Sequence, residues 1–93
     1  MKRLTLEVKH HHIAKGIRFK PSSCPIALAL KKKFPKRHIC VGPDLCVVGH
    51  TYYHLSKKAK EFVEAFDKGF YVPPTVFSLK FWRTMHRDFY YFS

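Results

Sequence analysis

The sequence predicts an α+β fold: a small, mainly antiparallel sheet in β-α-α-β-β-β-α-β order, with two main helices packed on one face. Three observations carry this expectation. Short alternating stretches rich in strand formers recur at residues 4–8, 38–41, 45–48, 51–55 and 75–81. Two segments, 24–34 and 56–68, instead space their apolar residues as one face of a helix. The middle stretches are joined by turns too short for a parallel crossover, which makes them antiparallel.

"LTLEV" at 4–8 opens the chain as a strand, with Leu4, Leu6 and Val8 on one face and Thr5 and Glu7 on the other. "KHHHIAKG" reads as one or two helical turns closed by Gly16 at the C′ position. Its histidines, flanked by lysine and isoleucine, read as native chain forming a solvated basic turn. After the connector "IRFKP" comes "SSCPIALALKKKFP", the second helix. Ser23 or Cys24 caps it, and Pro25 sits in the first turn, where a missing N–H costs nothing. Ala27, Leu30 and Phe34 share a face, Lys31–Lys33 suit the negative end of the helix dipole, and Pro35 stops the helix.

"HICV", "LCVV" and "TYYHL" form a three-stranded meander, turning at Gly42–Asp44 and at Gly49–His50. A three-residue first loop pairs Val41 with Leu45 and sets Cys40 beside Cys46, with Ile39, Val41, Leu45 and Val47 on one face. Ser56 caps the last helix, in which Ala59, Phe62, Val63 and Phe66 follow the i, i+3, i+4, i+7 rule. Gly69 ends that helix and Phe70 packs back on it. "TVFSLKF" at 75–81 is the last strand, with Val76 facing away from Phe77, Leu79 and Phe81. Residues 1–81 thus form one α+β domain, and 82–93, "WRTMHRDFYYFS", an aromatic and basic C-terminal extension.

Eighteen Lys+Arg against six Asp+Glu give a formal charge of +12 over 93 residues. From Met1 to Lys58 only Glu7 and Asp44 oppose thirteen Lys+Arg. Such a chain repels itself and attracts polyanions, nucleic acid first and acidic protein surfaces second. No stretch is long or apolar enough to span a bilayer, so no membrane partner is expected. "MKRLTLEVKHHH" has the charges of a signal peptide without its apolar core. With three cysteines, an odd number, this points to a reducing, cytoplasmic setting.

Cys24 at a helix N-terminus has the position of an activated thiol. No fixed base accompanies it, so it reads as a small buried filler. Cys40, Cys46, His50 and His54 have the composition of a zinc set but not its spacing, so no metal and no cofactor are expected. There is no phosphate loop, nucleophile elbow or zinc-protease motif, and the chain reads as non-enzymatic.

The basic groups carry the functional expectation. Lys31, Lys32, Lys33, Lys36 and Arg37 end one helix, and Lys57 and Lys58 begin another. In a two-helix, one-sheet layout both groups fall at the same end, as phosphate contacts. Lysines in the first turn oppose the helix dipole, so Lys57 and Lys58 are not placed there for stability. Tyr52 and Trp82 are the expected stacking rings. Phe89–Phe92 would be an aggregation liability if bare, so docking on this chain or on a second copy is expected, and in the second case the tail joins a homo-oligomer.

"SCPIALALKK", "AKEFVEAFDKG" and "VPPTVFSL" together resemble a group of small uncharacterised proteins from bacteriophages and prophage-bearing bacteria, over about residues 4–80. The resemblance implies a phage-type accessory protein acting in the host cytoplasm, and carries over no catalytic residue. The expected function is non-enzymatic nucleic-acid binding through a Lys/Arg face. The alternative is a host- or defence-inhibiting protein that docks on an acidic protein or a nucleoprotein complex, with the aromatic tail as anchor.

Overall fold

A computed structural model of the chain describes residues 3–84. The elements are β1 (Arg3–Val8), α1 (His10–Lys15), α2 (Pro25–Lys33), β2 (Ile39–Val41), β3 (Leu45–Val48), β4 (Thr51–His54), α3 (Lys57–Asp67) and β5 (Thr75–Thr84). The expected α+β class and element order hold. All five strands join one antiparallel sheet in the order β1-β5-β4-β3-β2.

Local chemistry explains the helix starts. Cys24 caps α2: its Sγ accepts the Ala27 N–H at 3.4 Å, and Pro25 follows in the first turn. Ser56 Oγ accepts the Ala59 N–H at 3.1 Å and caps α3. At the far end of α3, Gly69 takes φ +86°. Phe70 N–H reaches Ala65 C=O there at 2.9 Å, which closes the helix in a Schellman turn. The Phe70 ring, however, points into solvent and is 66% exposed. Gly16 also departs from expectation. Its backbone is extended, so it is no left-handed cap. It is glycine because a Cβ would lie 2.8 Å from two carbons of the Pro25 ring and 3.0 Å from Phe66.

One face of the sheet forms the core. Leu4, Leu6, Val8, Ile39, Val41, Cys46, Val48, Phe77 and Leu79 pack there against Ile26, Ala27 and Leu30 of α2 and Ala59, Phe62 and Phe66 of α3. Phe62 meets Phe77 edge to face at 5.1 Å, which adds about 0.5–1.5 kcal/mol to their burial. Helix α2 packs against both β1 and β2, the two outermost strands. The sheet therefore curls around α2, and the face left uncovered by the other described elements is convex. Both edges are also blunted. Lys33 Nζ donates to the Thr5 carbonyl of β1 at 2.9 Å, and Val41 N–H of β2 donates to Pro21 C=O at 2.9 Å.

The first hairpin corrects the expected register. Gly42 N–H donates to Leu45 C=O at 2.8 Å, so the turn proper is the two residues Pro43 and Asp44. Val41 then faces Cys46, and Cys40 faces Val47. One residue of slip exchanges the faces. Cys46 and Val48 enter the core, Leu45 and Val47 move to the uncovered face, and Cys40 and Cys46 lie on opposite sides. The last strand also continues through Thr84, so Trp82 and Arg83 belong to the sheet and not to an extension. The aromatic run Phe89–Phe92, and with it the homo-oligomer and anchor expectations, lies outside the described residues.

Among the described residues no helix is long and apolar enough to cross a membrane.

Candidate nucleic-acid interface

The uncovered sheet face collects rings and cations by two mechanisms. The first is alternation. On β4, Tyr52 and His54 point away from the core while Tyr53 packs against it. On β5, Lys80 faces the same way between Leu79 and Phe81, and on β1 Arg3 pairs with Lys80. His54 is the other cross-strand partner of Lys80.

The second mechanism is a β-bulge. Between β4 and β5 the register is Tyr53 with Phe81, then Tyr52 with Arg83, so Trp82 is the extra residue. A bulge of this kind turns both of its residues toward one side, and here it sets Trp82 and Arg83 beside Tyr52. Trp82 stands between two rings, with centroids 5.7 Å from Tyr52 and 5.5 Å from His54. The Arg83 guanidinium lies 5.6 Å from the centre of the Trp82 ring, within cation–π reach. Trp82 keeps 43% of its surface exposed.

Next to Tyr52, toward the β2 edge, a shallow cavity of about 600 Å³ is lined by Lys36, Arg37, His38, Cys40, Val47 and Gly49, with His50 and Tyr52 closing it. Arg37 is positioned there by the β3–β4 turn. Gly49 takes φ +63°, and a Cβ on it would sit 3.0 Å from Arg37 Cδ and 3.1 Å from Nη1. Glycine thus serves both the turn and the passage of the arginine across it.

The expected site residues divide. Lys36, Arg37, Tyr52 and Trp82 share the uncovered face. Lys31, Lys32 and Lys33 are exposed in the last turn of α2, with Lys33 tied to β1. Lys57 and Lys58 are exposed in the first turn of α3. The two lysine groups do not share an end. Strands β2 and β4 both run antiparallel to β3, hence parallel to each other. The lysines that lead into β2 and those that follow β4 therefore lie at opposite ends of the sheet. Arg3, His54, Lys80 and Arg83 join the face instead. The alternation of Lys80 with Leu79 and Phe81 carried that signal for one of them.

The two buried thiols, Cys24 and Cys46, are held in their protonated form. Burial pushes the Cys46 pKa up to about 12, with Cys24 and Cys40 nearby adding to it. Burial also raises Cys24, against the lowering effect of its backbone hydrogen bonds. An activated nucleophile needs the opposite shift. Among the described residues no three His, Cys, Asp or Glu side chains stand as a metal-binding group.

No family model, no curated protein and no solved structure matches this chain.

Proposed function

We propose that this is a small, non-enzymatic accessory protein that binds nucleic acid through the convex sheet face. The carrying observation is the bulge that sets Trp82 and Arg83 beside Tyr52, at the margin of the Lys36–Arg37 cavity. Cations at the margins supply a sequence-blind attraction for phosphates, and rings between them supply stacking surfaces. The resemblance to phage and prophage proteins supports a setting in phage biology. The test is titration of a labelled oligonucleotide at stepped salt. Binding that weakens steeply as salt rises is expected; flat affinity, or none at low salt, refutes the proposal.

A second reading, docking on another protein, is favoured by one observation away from this face. Of the six exposed large hydrophobics among the described residues, Ile17, Phe19, Phe70 and Tyr71 fall on two adjoining loops. The loops are joined where Phe19 N–H donates to Asp67 Oδ1 at 3.0 Å and where Arg18 lies against Gly69. Phe19 holds φ +59°, a conformation that costs a non-glycine residue about 1–3 kcal/mol, and its ring is 74% exposed. On this reading Phe19→Ser with Tyr71→Ser abolishes capture of a host protein from nuclease-treated lysate while oligonucleotide binding stays intact. Capture that survives the double substitution refutes it.

A further inference from the structure

We infer that the ligand of the convex face is a single strand, laid across the sheet with its bases on the Tyr52–Trp82–His54 rings, and not a duplex. This rests on the nucleic-acid reading and narrows it.

Three features point the same way. The first is curvature. The sheet bends around α2, which reaches both edge strands, so the outer surface bulges toward the ligand. A duplex is itself a convex cylinder, and two convex surfaces meet along a narrow line. Few phosphates of a duplex would reach the cations. A flexible single strand can follow the curve.

The second is the state of the rings. Trp82 is flanked by tilted rings at 49° and 48° and not covered by them, and 43% of its surface remains open. Base faces inside a duplex are already stacked on their neighbours and cannot use such a platform. Unstacked bases of a single strand can, and each contact tolerates any base.

The third is the order of groups across the strands. Lys36 and Arg37 lie at the β2 margin, Val47 and Tyr52 follow on β3 and β4, Trp82 and Lys80 both stand on β5, and Arg3 closes a diagonal track on β1, paired with Lys80 in the row of His54, two residues along β4 from Tyr52. Cations thus stand at both ends and rings between them. Five strands at ~4.8 Å spacing make a track of about 19 Å. An extended strand at roughly twice the ~3.4 Å duplex rise covers that length with about three nucleotides. Phosphates at the two ends of such a trinucleotide meet the two cationic margins, and its bases lie over the rings.

Trp82 is the single tryptophan of the chain, so its emission reports stacking directly. The experiment titrates the full chain with oligothymidylates from one to about eight nucleotides, and with a hairpin duplex of matching phosphate number, at low salt. The expected result is quenching of Trp82 by the single strands, with affinity climbing steeply to about three nucleotides and gently beyond. The hairpin is expected to bind more weakly and to leave the emission unchanged. Trp82→Ala and, independently, Tyr52→Ala should each lower single-strand affinity about tenfold, whereas Trp82→Phe, which keeps a ring, should retain most of it. A hairpin that binds as tightly as the single strands, with emission unmoved by either, overturns this inference and leaves the nucleic-acid reading standing. Failure of both ligands to bind at low salt overturns both.

Discussion

Replacing Lys36 and Arg37 together by glutamine should flatten the salt dependence of single-strand binding by an amount that follows from their positions. Arg3, Lys36, Arg37 and Lys80 border the convex track, while Arg83 is engaged with the Trp82 ring. On a single strand each neutralised phosphate contributes about 0.7 to the slope of log affinity against log salt. Four contacts give a slope of about −2.8, so a fourfold rise in salt weakens binding about 50-fold. With two contacts left the slope is about −1.4 and the same rise costs only about sevenfold. Lys57→Gln with Lys58→Gln removes the same formal charge from the first turn of α3, at the end of the sheet away from Lys36 and Arg37. That control should keep the slope near −2.8, within about half a unit. The assay is anisotropy of a labelled oligothymidylate at salt steps between about 50 and 200 mM. If the two double variants flatten the slope equally, overall charge and not a particular face governs binding, and the interface described above is refuted.

Other predictions address the scaffold. Gly16→Ala should destabilise the fold: crowding against Pro25 and Phe66 costs ~1–3 kcal/mol, which exceeds the ~0.4–1 kcal/mol gained by stiffening the unfolded chain. A melting temperature equal to or above the parent's in a circular-dichroism melt would show that the contact relaxes freely. His12 is buried, and its Nδ1 accepts the Lys9 N–H at 3.0 Å, which leaves the proton of the neutral ring on Nε2, without a hydrogen-bond partner among the described residues. Burial, then the nearby His11, Lys32 and Lys9, lower its pKa below the ordinary 6.5, with Glu7 opposing. The unfolded chain therefore binds the proton more readily. His12's contribution is intact above about pH 6.5 and is lost as the pH falls from there toward the folded pKa. His12→Gln should make the denaturant midpoint less sensitive to acid between about pH 7 and 5, and an unaltered profile would remove His12 from the account. Finally, Cys24 and Cys46 are buried with raised pKa while Cys40 is half-buried, so native protein should alkylate at one thiol and denatured protein at three. Fast native labelling of Cys24, read by peptide mass, would revive it as a reactive group.

The helices and their ends were legible in the residues because their causes are local. Ser56 and Cys24 satisfy N–H groups three residues ahead, Gly69 supplies the left-handed turn, and Phe62 and Phe66 recur at helical spacing. The alternation of Leu4, Leu6 and Val8, and of Phe77 and Leu79, named the core faces of β1 and β5 for the same reason. Of the proposed interface, Tyr52, Trp82, Lys36 and Arg37 were legible as residue types that suit a polyanion, but their common location was not. Lysine looks alike in sequence whether it ends a helix on the covered side or lines the open one. Residue type alone therefore groups Lys57 and Lys58 with lysines that lie at the other end of the sheet.

By itself the sequence determined the class, the order of the elements and the cationic excess, since each follows from composition or from contacts within a few residues. Tertiary structure alone decided three things. The Pro43–Asp44 turn set the β2–β3 register and so sent Cys46 inward and Val47 outward. The bulge opposite Tyr52 brought Arg83 onto the face where alternation already places Trp82. The parallel course of β2 and β4 parted the two lysine groups. Each depends on which strand lies beside which, and period-two alternation is blind to that: a strand slipped by one residue reads the same along the chain and presents the opposite side chains on the open face.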